Sequence, residues 1–183
     1  MATPKVAREK AGLFELYTKN GEETVDVVAV HGLQGDAYKT WEDNNGSLWL
    51  RDFLPAEISS ARITTFGYDS VVAFSNSVAK LEDKALDLLN RLSTKRAAAG
   101  RSTARPIVFI RHSLGGLVVK NALILAHDRN DDVHFKDILS NTKAIAFFGV
   151  PHKGSNSAWW ASMAANALKS CQHGCGYKHR SSG

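Results

Sequence analysis

Residues 107–116 read Ile-Val-Phe-Ile-Arg-His-Ser-Leu-Gly-Gly, a short apolar run that meets a serine and then a glycine pair opening the helical pattern 117–126. Strand, turn and helix in immediate succession leave this stretch few ways to fold. The serine must sit on a tight reversal, and Gly115, two places after it, supplies the absent side chain that such a turn demands. Arg111, two places before it, does not. Two readings of Ser113 are open. Held out of the sheet on the turn, its hydroxyl is a nucleophile for an ester or amide carbonyl, with backbone N–H groups behind it to hold an oxyanion. Alternatively it is an N-cap of the helix that follows. The order strand, turn, helix favours the first reading.

The rest of the chain supplies a framework for that turn. Residues 25–30, 62–66, 107–110 and 144–148 are short runs rich in β-branched or aromatic residues, the pattern of buried parallel strands. Residues 13–17 add an earlier strand to this expectation. Between them, Leu48, Trp49, Phe53 and Leu54 form an apolar patch ending at Pro55, and Val78, Leu81, Ala85, Leu88, Leu89 and Leu92 recur at helical spacing. This alternation predicts an α/β fold, a mostly parallel sheet covered by helices on both faces, with the active groups in loops at the carboxyl ends of the strands. Residues 95–105 read as a basic surface connection.

Two further loops fall on that same edge. The first strand runs into His31-Gly32-Leu33-Gln34-Gly35-Asp36, and a serine hydrolase of this architecture takes one oxyanion N–H from such a loop and the other from the residue after the nucleophile. Leu33 and Leu114 are the donors this predicts, with His31, Gly32, His112, Gly115 and Gly116 shaping the turn and pocket around Ser113. The last strand exits through Gly149-Val150-Pro151-His152, where His152 is either a pocket residue or a polar loop residue with no catalytic duty.

Composition sets the broad class. The 183 residues, 44% of them hydrophobic, suit one globular domain. No stretch reaches signal-peptide character or the ~20 apolar residues of a membrane span, so a cytosolic start and no transmembrane span are expected. The net charge of +5 does not point to nucleic acid, because the excess comes entirely from Lys143, Lys153, Lys169, Lys178 and Arg180, scattered and without interleaved stacking aromatics. Cys171 and Cys175 lie close to the carboxyl end, which gives no disulfide framework and fits a reducing compartment. With His173 and His179 they could be drawn as four zinc ligands, but the spacing fits no zinc pattern, and neither metal nor cofactor is expected.

His31-Gly32-Leu33, Phe66-Gly67-Tyr68-Asp69-Ser70, His112-Ser113-Leu114-Gly115-Gly116 and the run Phe147 to Ser155 together resemble the α/β-hydrolase domain of lipase-like serine esterases. The nearest group is the serine-active-site family of mitochondria and endoplasmic reticulum with its fungal relatives, overlapping the GPI inositol-deacylase-like proteins. The motifs occur in family order over about residues 13–165. The resemblance implies hydrolysis of a lipid or carboxylic ester through an acyl-serine, at the periphery of a mitochondrial or endoplasmic-reticulum membrane. In fungal relatives it implies a signalling role at the front of a larger NTPase and repeat protein.

The chain departs from that pattern twice. A small residue is usual where Arg111 stands, so the arginine is expected to strain the turn and its replacement by Gly or Cys to stabilise it. The triad order of this fold is Ser, then Asp or Glu, then His, and no Asp or Glu follows Asp137. The expected division is a flexible 1–12, a partial α/β-hydrolase domain at 13–170 lacking its last strands, and a tail at 171–183. Such a domain leaves residues 144–148 as an exposed apolar edge for a protein partner or the tail to cover. Its activity as written would be weak, and the competing reading is a catalytically incompetent interaction or signalling module.

Overall fold

The computed structural model describes residues 9–19, 21, 23–73, 78–98 and 104–148. Five strands, β1 (Gly12–Tyr17), β2 (Val25–Val30), β3 (Ala61–Gly67), β4 (Ile107–His112) and β5 (Thr142–Phe148), form one sheet in the order β1-β3-β2-β4-β5. The helical segments are α1 (Trp49–Asp52), α2 (Leu54–Glu57), α3 (Ser70–Ala73), α4 (Val78–Ala98), α5 (Gly115–Asp128) and α6 (Val133–Asn141). The apolar runs of the sequence are the parallel strands β2 to β5, while β1 pairs antiparallel with β3 at the edge. The fold is α/β with a mixed, mostly parallel sheet.

Alternation along β2 sorts the core into two layers, as side chains of a strand point to opposite faces in turn. Val28 and Val30 pack with Phe66, Leu88, Leu89, Leu92, Val118, Val119, Phe135 and Ile138, so α4, α5 and α6 cover that face. Val27 and Ala29 pack with Ile63, Ile110, Trp41, Leu48 and Leu50 on the other. Among the described residues the second face is covered not by long helices but by the connection from β2 to β3, whose helical pieces α1 and α2 are single turns. Pro55 does not end a helix there. It sits in the first turn of α2, where its missing N–H costs nothing, and Phe53 between the two turns is 60% exposed rather than part of the core.

Two features depart from the sequence-based expectation. Helix α6 was not foreseen; Asp132 caps it by accepting the N–H groups of His134 (2.9 Å) and Phe135 (3.3 Å), and Phe135 and Ile138 anchor it in the core. Nor are the described ends of the run 95–105 simple surface. Arg96 and Arg105 are buried and converge with Arg62 on Asp26, a carboxylate hidden within the run 25–30. The carboxylate supplies the counter-charge and hydrogen-bond acceptors that let guanidinium groups leave water.

The strand order fixes where a site can lie. From β2 the chain moves to β3 on one side, then crosses β2 to β4 and continues to β5 on the other. The direction of winding reverses between β2 and β4, and the crevice beyond the carboxyl ends of two such strands is where open α/β sheets bind ligands. Val30 of β2 lies opposite Arg111 of β4, so the loop beginning at His31 and the turn at Ser113 leave the sheet side by side.

Candidate functional site

Ser113 follows the last residue of β4 with φ of 49°, in the left-handed region that side chains other than glycine occupy at a cost of about 1–2 kcal/mol. Its N–H donates to the Phe148 carbonyl (3.0 Å), and its carbonyl accepts from Gly116 N–H (3.3 Å) and Arg111 Nη1 (3.1 Å). The helix N-cap is Leu114, with no side-chain capping bond. The helix-capping reading of Ser113 therefore does not hold, because its hydroxyl is not spent on the helix.

Two glycines let the loop after β2 press against this turn. A Cβ on Gly32 would lie 2.7 Å from the His112 carbonyl oxygen, 3.0 Å from Ser113 Cβ and 3.3 Å from Leu114 N. A Cβ on Gly115 would meet the carbonyl oxygens of Val30 (2.6 Å) and His31. Backbone touches backbone, so only glycine fits. The structure thereby brings Gly32, Ser113, Leu114 and Gly115 together, with Leu33 next in the loop. Among the described residues no hydrogen bond engages the N–H of Leu33 or of Leu114.

The run Phe66 to Ser70, given no role by its sequence, shapes that loop. Tyr68 OH donates to the His31 carbonyl (2.7 Å), Tyr68 N–H donates to His31 Nε2 (3.3 Å), and Ser70 Oγ accepts the N–H of Gln34 (3.0 Å), itself left-handed at φ 58°. Because a backbone N–H can only donate, Nε2 of His31 is an acceptor and the proton sits on Nδ1, which donates to the Gly32 carbonyl (2.9 Å). His31 is fully buried, and burial pushes its pKa below the usual histidine range. With both ring nitrogens occupied it is a neutral brace and not a base.

His112 is partly buried, which also lowers its pKa, and its ring meets Trp41 edge-on at 6.4 Å. Trp41 continues through Trp49 (6.4 Å) to Phe148 (5.5 Å from Trp49), an aromatic wall on the Ile110 face of the sheet that sequence reasoning missed. Period alone carries no signal for it, since Trp41 and Trp49 lie in an irregular connection. Among the described residues no imidazole nitrogen bonds the Ser113 hydroxyl. Asp36 is committed to its own turn, accepting the N–H groups of Tyr38 (2.8 Å) and Lys39 (2.7 Å). His152 lies outside the described residues, as do Cys171, His173, Cys175 and His179.

Arg111 does not push the turn open. Gly116 stands where a Cβ would collide with the guanidinium, so the space that an elbow normally reserves before the serine is found after it. The guanidinium carbon lies 3.5 Å from the centroid of the Phe147 ring. Phe147 and Phe148 of β5 are 67% and 45% exposed, on the last strand of the described sheet. Among the described residues no cluster of His, Cys, Asp and Glu could hold a metal ion, and no helix is long and apolar enough to cross a membrane.

No protein-family model matches the chain. It is similar to proteins named SERAC1: 34% identical to that of Bos taurus and 33% to that of Homo sapiens, each over 150 residues and 73% of this chain. The Danio rerio protein is 31% identical over 153 residues. The match takes in 22% of each of these relatives, so the chain is similar to about a fifth of the length of the SERAC1 proteins it matches.

Proposed function

We propose that the chain carries the nucleophile and oxyanion half of a serine-esterase site on an α/β-hydrolase fold. The observation that carries this is the left-handed backbone of Ser113 at the β4–α5 turn, packed against the loop His31-Gly32-Leu33 at the point where the winding of the sheet reverses. Strain of this kind persists only where the surroundings hold it, and it concentrates at functional sites.

In this reading Ser113 Oγ bonds to an ester carbonyl carbon while a base takes its proton, and the carbonyl electrons move onto oxygen. The Leu33 and Leu114 N–H groups stabilise that oxyanion. Its collapse breaks the carbon–oxygen bond to the leaving alcohol, which receives the proton, and leaves an acyl-serine for water to cleave. The family resemblance extends the substrate to a lipid ester at the periphery of a mitochondrial or endoplasmic-reticulum membrane. With His31 occupied, His112 and His152 are the histidines to test as base.

A second reading, an interaction or signalling module that keeps the fold without turnover, is favoured by the occupied ring of His31 and by the lack, among the described residues, of an imidazole bonded to the Ser113 hydroxyl. Fluorophosphonate labelling of the purified chain beside Ser113→Ala, followed by short-chain ester turnover, separates the two. Ser113-dependent labelling with turnover is the esterase outcome. Labelling no faster than that of Ser113→Ala, without turnover, sinks it and leaves the module.

A further inference from the structure

Both backbone polar groups of Ser113 are tied to β5. Its N–H donates directly to the Phe148 carbonyl. Its carbonyl accepts Arg111 Nη1, and the Arg111 guanidinium lies over the ring of Phe147, the residue paired with Arg111 in the β4–β5 ladder. Gly116, in the first turn of α5, is the seat that admits the guanidinium. The arginine is thus wedged between a helix start and an aromatic ring, with one donor aimed at the serine it precedes.

We propose that Arg111, stacked on Phe147 and seated on Gly116, is a positioning residue that keeps Ser113 in its left-handed conformation and so aims its hydroxyl. The proposal rests on Ser113 being the nucleophile. A non-glycine residue leaves that region unless its neighbours over-determine it. The Gly116 N–H bond to the serine carbonyl is the ordinary bond of a turn entering a helix, whereas the Arg111 bond is charge-assisted and partly withdrawn from water, where such bonds are stronger. The planar fork matters as well as the charge: it stacks on the ring while its edge donates, which an ammonium cannot do. Elbows usually need a small residue here to let the helix approach; this chain keeps the approach by placing glycine at 116 and uses the side chain at 111 as a clamp.

The test uses the full chain with Arg111→Met, Arg111→Lys, Gly116→Ala and the double variant Arg111→Met with Gly116→Ala. NMR shifts and scalar couplings read the Ser113 backbone, and fluorophosphonate inactivation is split into kinact and KI. Arg111→Met should move Ser113 out of the left-handed region and lower kinact about tenfold or more at unchanged KI. Arg111→Lys should restore little of either. Gly116→Ala, by displacing the guanidinium, should reproduce the loss and add nothing to Arg111→Met. Wild-type backbone signals and kinact in Arg111→Met overturn the proposal, as do equal, independent losses from Gly116→Ala in both backgrounds. If Arg111→Met does not fold, Phe147→Leu, which removes only the ring under the cation, should give a smaller loss in the same direction, and an unchanged kinact there overturns the proposal. A wild-type chain that is not labelled while its Ser113 backbone shifts in Arg111→Met sinks the esterase reading and leaves the clamp standing.

Discussion

Tyr68 and His31 hold each other at three points: their rings stack at 4.4 Å, the Tyr68 hydroxyl donates to the His31 carbonyl, and the Tyr68 N–H donates to His31 Nε2. The loop that presses on Ser113 is therefore fixed from below by a residue 37 positions away in sequence. Burial pushes the Tyr68 hydroxyl well above the ordinary tyrosine pKa, so it remains a donor across the accessible pH range.

Tyr68→Phe keeps the stack and removes the hydroxyl, leaving a buried carbonyl without that partner. The expected loss is about 1–2 kcal/mol in urea denaturation at pH 7. A midpoint equal to that of the wild type would mean that the bond contributes nothing net.

Stability should fall in mild acid. His31 and His112 both have folded-state pKa values pushed below 6.5 by burial. Above 6.5 neither state binds the proton, and the two groups cost nothing. As the pH falls from 6.5 towards the folded values, the unfolded chain takes up protons that the folded one refuses, and unfolding is favoured. Protonation of His31 would also abolish the acceptor that Tyr68 N–H uses. Glu23, held down to about 2 by the Thr18 hydroxyl, stays ionised throughout this window. Urea midpoints at pH 7.5, 6.5 and 5.5 should decrease, and His112→Asn should flatten part of the slope. Midpoints that rise towards pH 5.5 contradict the assignment.

How much of this was legible in the sequence depended on range. The strands, the turn at Ser113 and the glycine needed at 115 all follow from patterns within ten residues, where period and turn chemistry act. The reason for Gly116 does not, because it lies in the packing of Arg111. The pairing of Asp26 with Arg62 and Arg96 spans 36 and 70 residues, and nothing local marks a carboxylate inside a valine-rich run as the partner of arginines elsewhere. The aromatic wall was missed for the same reason: Trp41 reaches His112 through the fold, not through any spacing.

That buried network gives a stability prediction. Asp26 Oδ1 accepts from Arg62 Nε at 2.8 Å and its Oδ2 from Arg96 Nη1 at 2.5 Å, with Arg105 Nε at 3.2 Å from Oδ1. Asp26→Asn preserves shape but removes the charge that gathers three buried guanidinium groups, leaving Asp137 and Glu23 to offset them in part. A loss of about 3 kcal/mol or more is expected. The exposed pair Arg91–Asp87 is the control, since Asp87→Asn should change stability by about 0.5 kcal/mol or less. Equal effects from the two variants would show that the network is replaceable.

Adjacent glycines should answer the same substitution differently. A Cβ on Gly115 would face the Val30 carbonyl oxygen at 2.6 Å and the His31 carbonyl carbon at 2.9 Å. These are backbone atoms held by the sheet and by Tyr68, and they cannot yield without separating the loop from the turn. The three atoms nearest to a Cβ on Gly116 all belong to the Arg111 side chain, which can rotate away. Both positions lie in the first turn of α5, where replacing glycine by alanine contributes at most about 1 kcal/mol of helix propensity. Gly115→Ala should therefore lose about 1–3 kcal/mol net through overpacking. Gly116→Ala should stay near the wild-type midpoint while losing the guanidinium contact with Ser113. Thermal and urea denaturation of the two proteins side by side decide the matter, and a Gly115→Ala protein as stable as the wild type would show that the loop after β2 is not wedged against the serine turn.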